Sequence, residues 1–229
     1  MSLVYHGVRA PVRWAFRLFA DLRVEGLHHV PSSGPFFLLP NHQSVLDPLL
    51  IQSICPRKIH SMTKSTQFAH PVFRTVLAGL GAFPVRRYRV DPQTVRVLLR
   101  FLDAGQGVCV YPEGERSWDG ALQPFRRGTL RVALRAGAPI IPVGISGTYD
   151  LMPRWLKRPR PGAPVSLRFG EPMRFGAIRN RRTRERRLPE FERRLVREIS
   201  RLASVPISRE IRERLDGGSA WSSGEGVGQ

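Results

Sequence analysis

Lysine and acidic residues are the scarce types in this sequence. Asp and Glu together number 18 against 37 Lys and Arg, and Lys58, Lys64 and Lys157 are the only lysines among those 37. The formal net charge is +19 and the pI is near 11.6. A chain this basic is not indifferent to polyanions, because its field attracts nucleic acid, anionic lipid or phosphorylated small molecules. Cysteine is also rare. Cys55 and Cys109 lie in apolar surroundings without a CxxC pair, which excludes a zinc ribbon or a disulfide framework and predicts two buried thiols. Long apolar runs are missing too: nothing approaches the ~18 residues of a membrane span. Arg9, Arg13 and Arg17 interrupt the only apolar region near the N-terminus, so no secretory signal is expected. What is present, 41% hydrophobic and 24% charged residues, is the composition of a globular domain.

Periodicity organises the chain. Val8, Val12, Ala15 and Phe19 recur at helical spacing beside an Arg9/Arg13/Arg17 stripe, with Trp14 and Phe16 flanking the apolar side. That pattern predicts an amphipathic helix over 1–22 suited to a bilayer interface. Phe36–Pro40 is a continuous apolar run of buried-strand type. Asp47-Pro48 and Asp91-Pro92 each read as a helix cap followed by proline at the first helical position. Further strands are expected at 22–26, 58–62, 82–85, 108–111, 140–145 and 165–169, with helices at 68–80, 92–104 and 128–136 between them. Strands alternating with helices of ~10–15 residues predict an α/β layered domain over 23–203, with a mixed, largely parallel sheet flanked by helices. Such sheets place chemistry at the carboxyl ends of their strands. Thirteen of the 34 arginines fall between Arg179 and Arg214, around an amphipathic helix carrying Leu188, Phe191, Leu195, Ile199 and Leu202. The 204–229 stretch reads as a tail, Gly/Ser-rich and disordered from 216.

Four segments bring polar groups to strand ends. In Asn41-His42-Gln-Ser-Val-Leu-Asp47 a histidine follows a buried strand with a carboxylate five residues on, so the two can pair; the carboxylate then fixes the imidazole tautomer and raises its basicity. Alternatively, Asp47 only caps its helix. Gly81 to Arg87 is a strand ending in two arginines. Tyr111-Pro-Glu113-Gly114-Glu115-Arg116-Ser117 follows the 108–110 strand and has the makings of a polyol-phosphate site. There Arg116 grips phosphate oxygens, Glu113 accepts from a hydroxyl, and Gly114 lets backbone N–H groups approach. Pro139-Ile-Ile-Pro-Val143 contributes shape. His28, His29, His60 and His70 read as structural or exposed.

In this order and at these separations the four segments resemble the motifs of the glycerolipid acyltransferases, the PlsC-like 1-acylglycerol-3-phosphate acyltransferase (HX4D) family, over residues 22–175. The resemblance implies acyl transfer from acyl-ACP or acyl-CoA to the free hydroxyl of a lysophospholipid, lysophosphatidic acid foremost. It makes His42 the general base and Asp47 its orienting partner. Lys64, Arg87, Glu113, Gly114, Arg116 and Ser117 become the residues that bind the phosphorylated acceptor. It implies no metal or other cofactor beyond the thioester co-substrate, and a peripheral enzyme on the cytoplasmic side of an anionic membrane. Two positions depart from the family pattern: Glu115 stands where threonine or serine is usual, and Pro84 where an aromatic is usual. Ser44 is the only nucleophile beside His42, and no covalent intermediate is required. Oxyanion donors are expected among backbone N–H groups near 41–47 or 139–143. The remaining readings are the same chemistry on another lysolipid, such as a lyso-ornithine lipid, or a basic lipid- or nucleic-acid-binding protein without activity. No RRM, zinc-finger or recognition-helix pattern supports specific nucleic acid binding.

Overall fold

The computed structural model describes residues 3–85, 92–156 and 158–216. Helix α1 (Leu3–Phe19) leads into strand β1 (Ala20–Glu25), and then come β2 (Phe36–Pro40), α2 (Asp47–Ile54), β3 (Ile59–Lys64), α3 (Pro71–Gly79) and β4 (Ala82–Val85). After these follow α4 (Pro92–Asp103), β5 (Gly107–Cys109), α5 (Arg127–Ala136), β6 (Ile140–Ser146) and the short α6 (Thr148–Leu151). The chain continues through β7 (Ala163–Phe169), α7 (Arg181–Ala203) and α8 (Arg209–Asp216). The expected caps differ in outcome. Asp91, like Arg86, Arg87 and the Gly/Ser-rich 217–229 stretch, lies outside the described residues, and Asp47 is taken up below.

The seven strands form one sheet in the order β1-β7-β6-β2-β5-β3-β4. Every neighbouring pair is parallel except β6 with β7. The continuous apolar run of β2 has a simple cause, since both faces of the sheet are covered. Phe37 and Leu39 join α4, α5, α7 and α8 in one core through Leu98, Leu134, Phe191 and Ile211. Phe36 and Leu38 join α1 and α2 in the other through Phe16, Leu50 and Ile51. Cys55 and Cys109 are free thiols buried in this second core. Burial pushes Cys55 up to about 11 and Cys109 higher still, so neither is a nucleophile at neutral pH.

Because β6 runs against β7, the two rims of the sheet are unlike. The carboxyl ends of β2, β3, β4, β5 and β6 share one rim with the amino ends of β1 and β7. The end of α1 and the β6–β7 connection, residues 147–162, belong to that same rim.

Two elements depart from the sequence reading. In α1 the inward face is Tyr5, Arg9 and Phe16, while Phe19 is exposed. Arg9 leaves the expected basic stripe: its guanidinium donates to the carbonyls of Ser53 (2.6 Å), Ile54 (3.0 Å) and Cys55 (2.5 Å) at the end of α2. Those carbonyls have no partners within their own helix, and a cation there also meets the negative end of the helix dipole. In the 204–215 stretch expected as tail, α8 packs on the core through Ile211, and Leu122 bonds main chain to main chain with Pro206 and Ser208.

Candidate active site

Helix α2 begins just past the end of β2, and the loop between them is tied down at both sides. Asn41 continues the sheet with its side chain: Nδ2 donates to Ile145 O (2.8 Å) and Oδ1 accepts from Ile145 N (2.7 Å), where the β2–β6 backbone pairing has ended. Asp47 is the first residue of α2 and turns away from it. Its Oδ2 accepts from His42 Nδ1 (2.8 Å), Gln43 N (2.7 Å) and Ser44 N (2.7 Å). Asp47 is therefore not a helix cap, and it is fully buried.

His42 is held from every direction. Its main-chain N–H donates to Glu113 Oε1 (2.5 Å), its carbonyl accepts from Ser117 N (2.7 Å), and its ring stacks on Tyr111 at 4.1 Å between centroids. A neutral imidazole whose Nδ1–H donates to Asp47 carries its lone pair on Nε2, the position from which it can take a proton from a hydroxyl.

The segment after β5 thus has a task other than the one expected for much of it. Glu113 does not wait for an acceptor hydroxyl: it is buried, Oε1 takes the His42 amide and Oε2 takes Gln123 N (2.8 Å). Burial pushes its carboxyl well above the ordinary carboxylate range, against the pull of those two N–H groups. Ser117 is buried as well, donating to Ala121 O (2.7 Å) and Asp119 Oδ1 (3.1 Å). Gly114 does not aim its N–H at a ligand, since that group closes a turn onto Tyr111 O (3.1 Å). Glycine is required there for two other reasons. Its φ is +74°, and an added Cβ would sit 2.0 Å from Arg126 Nε. Glu113 and Ser117 thus brace His42 and its surroundings, and Gly114, between them, closes the turn onto Tyr111.

Of the cations expected around the acceptor, Arg116 is half-buried and its carbonyl accepts from Arg154 Nη1 (3.1 Å). Lys64 ends β3 at the same rim, and Arg87 lies outside the described residues. The structure adds two cations that the sequence did not single out. Glu115 lies between Arg126 (Oε1–Nη2 3.9 Å) and Arg154 (Oε2–Nη1 3.7 Å), so a carboxylate already occupies an anion's place between two guanidinium groups. Asn41 and Tyr111 stand within the sequence motifs without an assigned role, and the sequence does not single out Gln123, Arg126 and Arg154. Asn41, Tyr111 and Arg154 meet their partners far off in sequence, whereas Gln123 and Arg126 meet Glu113 and Glu115 within about a dozen residues, across a loop with no periodic pattern.

Two further expectations change. Ser44 is buried, its Oγ donating to Met152 O (2.7 Å) and accepting from Leu46 N (3.2 Å), so it links two loops and is not poised as a nucleophile. The amides of His42, Gln43 and Ser44 are all engaged by carboxylates, which removes them as oxyanion donors. Among the other histidines, His29 Nδ1 meets Phe169 O (2.8 Å), and His60 stacks flat on Phe101 at 3.7 Å. A cleft of about 960 Å³ opens at the opposite rim, beyond the ends of β1 and β7, lined in part by His28, Arg168, Arg193, Arg194 and Arg197.

The family model described as Acyltransferase matches residues 21–146. The chain is 32% identical over 140 residues to the chloroplastic 1-acyl-sn-glycerol-3-phosphate acyltransferase BAT2 of Brassica napus, covering 59% of this chain and 40% of that one. It is 32% identical over 133 residues to the human alpha enzyme of the same name, covering 56% and 47%. With the Bacillus subtilis 1-acyl-sn-glycerol-3-phosphate acyltransferase the figures are 26% over 131 residues, 57% and 65%. The match thus spans less than two thirds of each relative. Among solved structures, the LPA acyltransferase PlsC of Thermotoga maritima superposes with a TM-score of 0.67 at 27% identity, covering 85% of this chain and 79% of that one.

Proposed function

The chain belongs to the acyltransferase family, and on that premise we propose that it moves a fatty acyl group from an acyl-ACP or acyl-CoA thioester to the free hydroxyl of a lysophospholipid. The acceptor we assign is lysophosphatidic acid, with phosphatidic acid as product. The observation that carries the reading is the His42 Nδ1–Asp47 Oδ2 contact at 2.8 Å on a loop braced by Glu113 and Ser117.

An alcohol of pKa about 16 attacks a thioester slowly unless a base takes its proton as the C–O bond forms, and such a base supplies roughly 10²–10⁴-fold. His42 Nε2 takes that proton, and Asp47 stabilises the imidazolium that results. The tetrahedral intermediate then expels the carrier thiolate, which receives the same proton from Nε2, so that ester and free thiol leave together. Holding both substrates in line contributes as much or more. No covalent acyl-enzyme and no cofactor beyond the thioester enters this scheme. The enzyme is peripheral, on the cytoplasmic side, and docks through α1, whose Trp14 and Leu18 are exposed beside Arg13 and Arg17. No described helix is long and apolar enough to cross a membrane.

The test is incubation of the purified protein with acyl-ACP and acyl-CoA and a panel of lysolipids, products being identified by mass spectrometry. His42→Ala is expected to lower acyl transfer by at least ~10³-fold in a folded protein. A variant keeping a tenth of the activity overturns the general-base assignment.

One observation favours a second acceptor class. Glu115 already sits between Arg126 and Arg154, which suits an acceptor without a phosphomonoester. Glu115→Ser separates the two readings. If lysophosphatidic acid is the acceptor, its phosphate no longer competes with a carboxylate, and its KM falls by about threefold to tenfold. If the acceptor lacks the phosphate, KM for lysophosphatidic acid stays where it was.

A further inference from the structure

Five large apolar side chains are exposed among the described residues: Trp14, Leu18, Phe19, Trp118 and Trp155. The topology brings them to one end of the molecule. Phe19 directly precedes β1, whose amino end shares a rim with the carboxyl ends of β2, β5 and β6, and Leu18 and Trp14 lie up to about one and a half turns back along α1. Trp118 follows the segment that braces His42, and Trp155 lies in the β6–β7 connection at that rim.

Direct bonds join these pieces. Gly162 N donates to Phe19 O (2.9 Å), so the connection that carries Trp155 returns against the end of α1. Tyr149 Oη donates to Trp118 O (2.9 Å), and its ring meets Trp155 edge-on at 5.7 Å. Ser44 Oγ anchors the same connection at Met152 O, two residues from the His42 amide that Glu113 holds.

The two tryptophans are exposed by 60% and 58%, yet they are presented by a fixed support. Arg154 lies over the Trp118 ring at 3.1 Å and bonds Arg116 O and Glu115. Exposing this much indole to water is unfavourable, and a rigid support prevents the rings from folding inward. Exposed cations share this rim, Arg13 and Arg17 on α1 and Arg158 and Arg160 in the connection, while Asp119 and Asp150 are the acidic groups that act on Tyr149 between the two rings. Amphipathic indole rings with arginines beside them match the chemistry of an anionic bilayer interface, where the ring sits at headgroup level and the guanidinium meets phosphate. A protein partner would call for a contiguous buried core with charges at its edge, whereas here the exposed aromatics are divided between α1, the segment after β5 and the β6–β7 connection, with Arg154 stacked on one of them.

We propose that the sheet rim bearing His42 is itself a membrane-seating surface, with Trp118 and Trp155 entering an anionic bilayer interface together with the end of α1 so that the site opens onto the headgroup layer. The inference rests on the lipid-acceptor reading above and extends it from one helix to the rim. A lysolipid then reaches the base without leaving the interface.

The four tryptophans of the chain allow a direct test. Three Trp→Phe changes leave a single reporter at position 14, 118 or 155, to be mixed with vesicles of phosphatidylcholine and phosphatidylglycerol that carry brominated acyl chains. All three reporters are expected to shift to the blue and to be quenched. Quenching at 14 with none at 118 and 155 overturns the proposal and leaves α1 as the sole anchor. Absence of quenching at all three, with no co-sedimentation, removes the proposal together with membrane docking in general. Emission that shifts only on adding acyl carrier protein overturns it in favour of a protein partner. In a second arm, Trp118→Ala/Trp155→Ala is assayed on a vesicle-embedded lysolipid and on a short-chain monomeric one. The first rate is expected to fall by about tenfold and the second to hold; equal losses overturn the proposal. A wild type inactive on both acceptors defeats the acyl-transfer reading alone, since the quenching pattern still decides where the protein docks.

Discussion

Glu113 commits both carboxyl oxygens as acceptors to main-chain N–H groups, one of them that of His42 itself, and this separates positioning from binding in a way kinetics can read. In Glu113→Gln one of the two N–H donors faces an amide NH₂, so the His42 loop loses its brace while nothing that faces the acceptor changes. We expect kcat to fall by about 10–100-fold with the acceptor KM within about twofold; a rise in KM at constant kcat would return Glu113 to the substrate. The same residue gives a pH signature. Burial raises its carboxyl well above the ordinary value of 4.5, so between that value and the raised one the folded state holds more protons than the unfolded state. The stability this group contributes is present below 4.5 and is lost as pH rises through the folded value. Glutamine has no proton to lose. The melting temperature of Glu113→Gln relative to wild type therefore climbs as pH rises above 4.5, and a flat difference in calorimetry contradicts the buried, proton-retaining carboxyl. At this scale the sequence is legible where chemistry is local. His42 and Asp47 lie five residues apart, on the β2–α2 loop and at the start of α2, so their pairing is readable from spacing. Glu113 meets His42 across 71 positions, and nothing local tells an inward carboxylate from one awaiting a ligand.

Among the elements, those whose pattern is set by burial alone read directly from the sequence: β2 because both of its faces are covered, and α7 because Leu188, Phe191, Leu195, Ile199 and Leu202 hold one stripe against the sheet. Helix α1 is read less well, and the reason is Arg9. A cation in the middle of the buried face breaks the apolar period, so Phe19 is assigned inward and Arg9 outward. What brings Arg9 in is the end of α2, about 45 residues away in sequence, a feature no local pattern displays. The antiparallel β7 is likewise invisible, because its direction follows from how the 147–162 connection returns. The Arg9 contact yields its own prediction. Arg9→Ala strips three carbonyls of a charged donor and leaves α1 to be held by Tyr5, Phe16 and their neighbours. We expect a loss of about 1–3 kcal/mol, roughly 2–10 °C in melting temperature for a domain of this size. Trypsin should then cut within α1 before the rest of the chain. Arg9→Lys keeps the charge but not the fork, and should recover only part of the loss.

The whole molecule carries +19, and a uniform reading of that number would have every arginine pull the protein onto an anionic membrane. The two rims argue otherwise. Arg13 and Arg17 flank the exposed apolar residues of α1, whose end lies at the His42 rim, whereas Arg193, Arg194 and Arg197 line the cleft beyond the carboxyl ends of β1 and β7. Seven-residue β7 alone separates the rims by about 20 Å. That is more than two Debye lengths at physiological ionic strength, where screening acts over about 8 Å, but less than one at about 0.01 M, where it acts over about 30 Å. With the His42 rim seated on the bilayer, each near arginine contributes about 1 kcal/mol and the far ones contribute little. Arg13→Gln/Arg17→Gln should therefore weaken binding to phosphatidylglycerol-containing vesicles by about tenfold or more at physiological salt. Arg193→Gln/Arg194→Gln/Arg197→Gln should leave it within about twofold there and weaken it only when the salt is lowered toward 0.01 M. Sedimentation across a salt series reads both variants. A triple variant that loses as much as the double at physiological salt would mean that the arginine-lined cleft, not the His42 rim, faces the membrane.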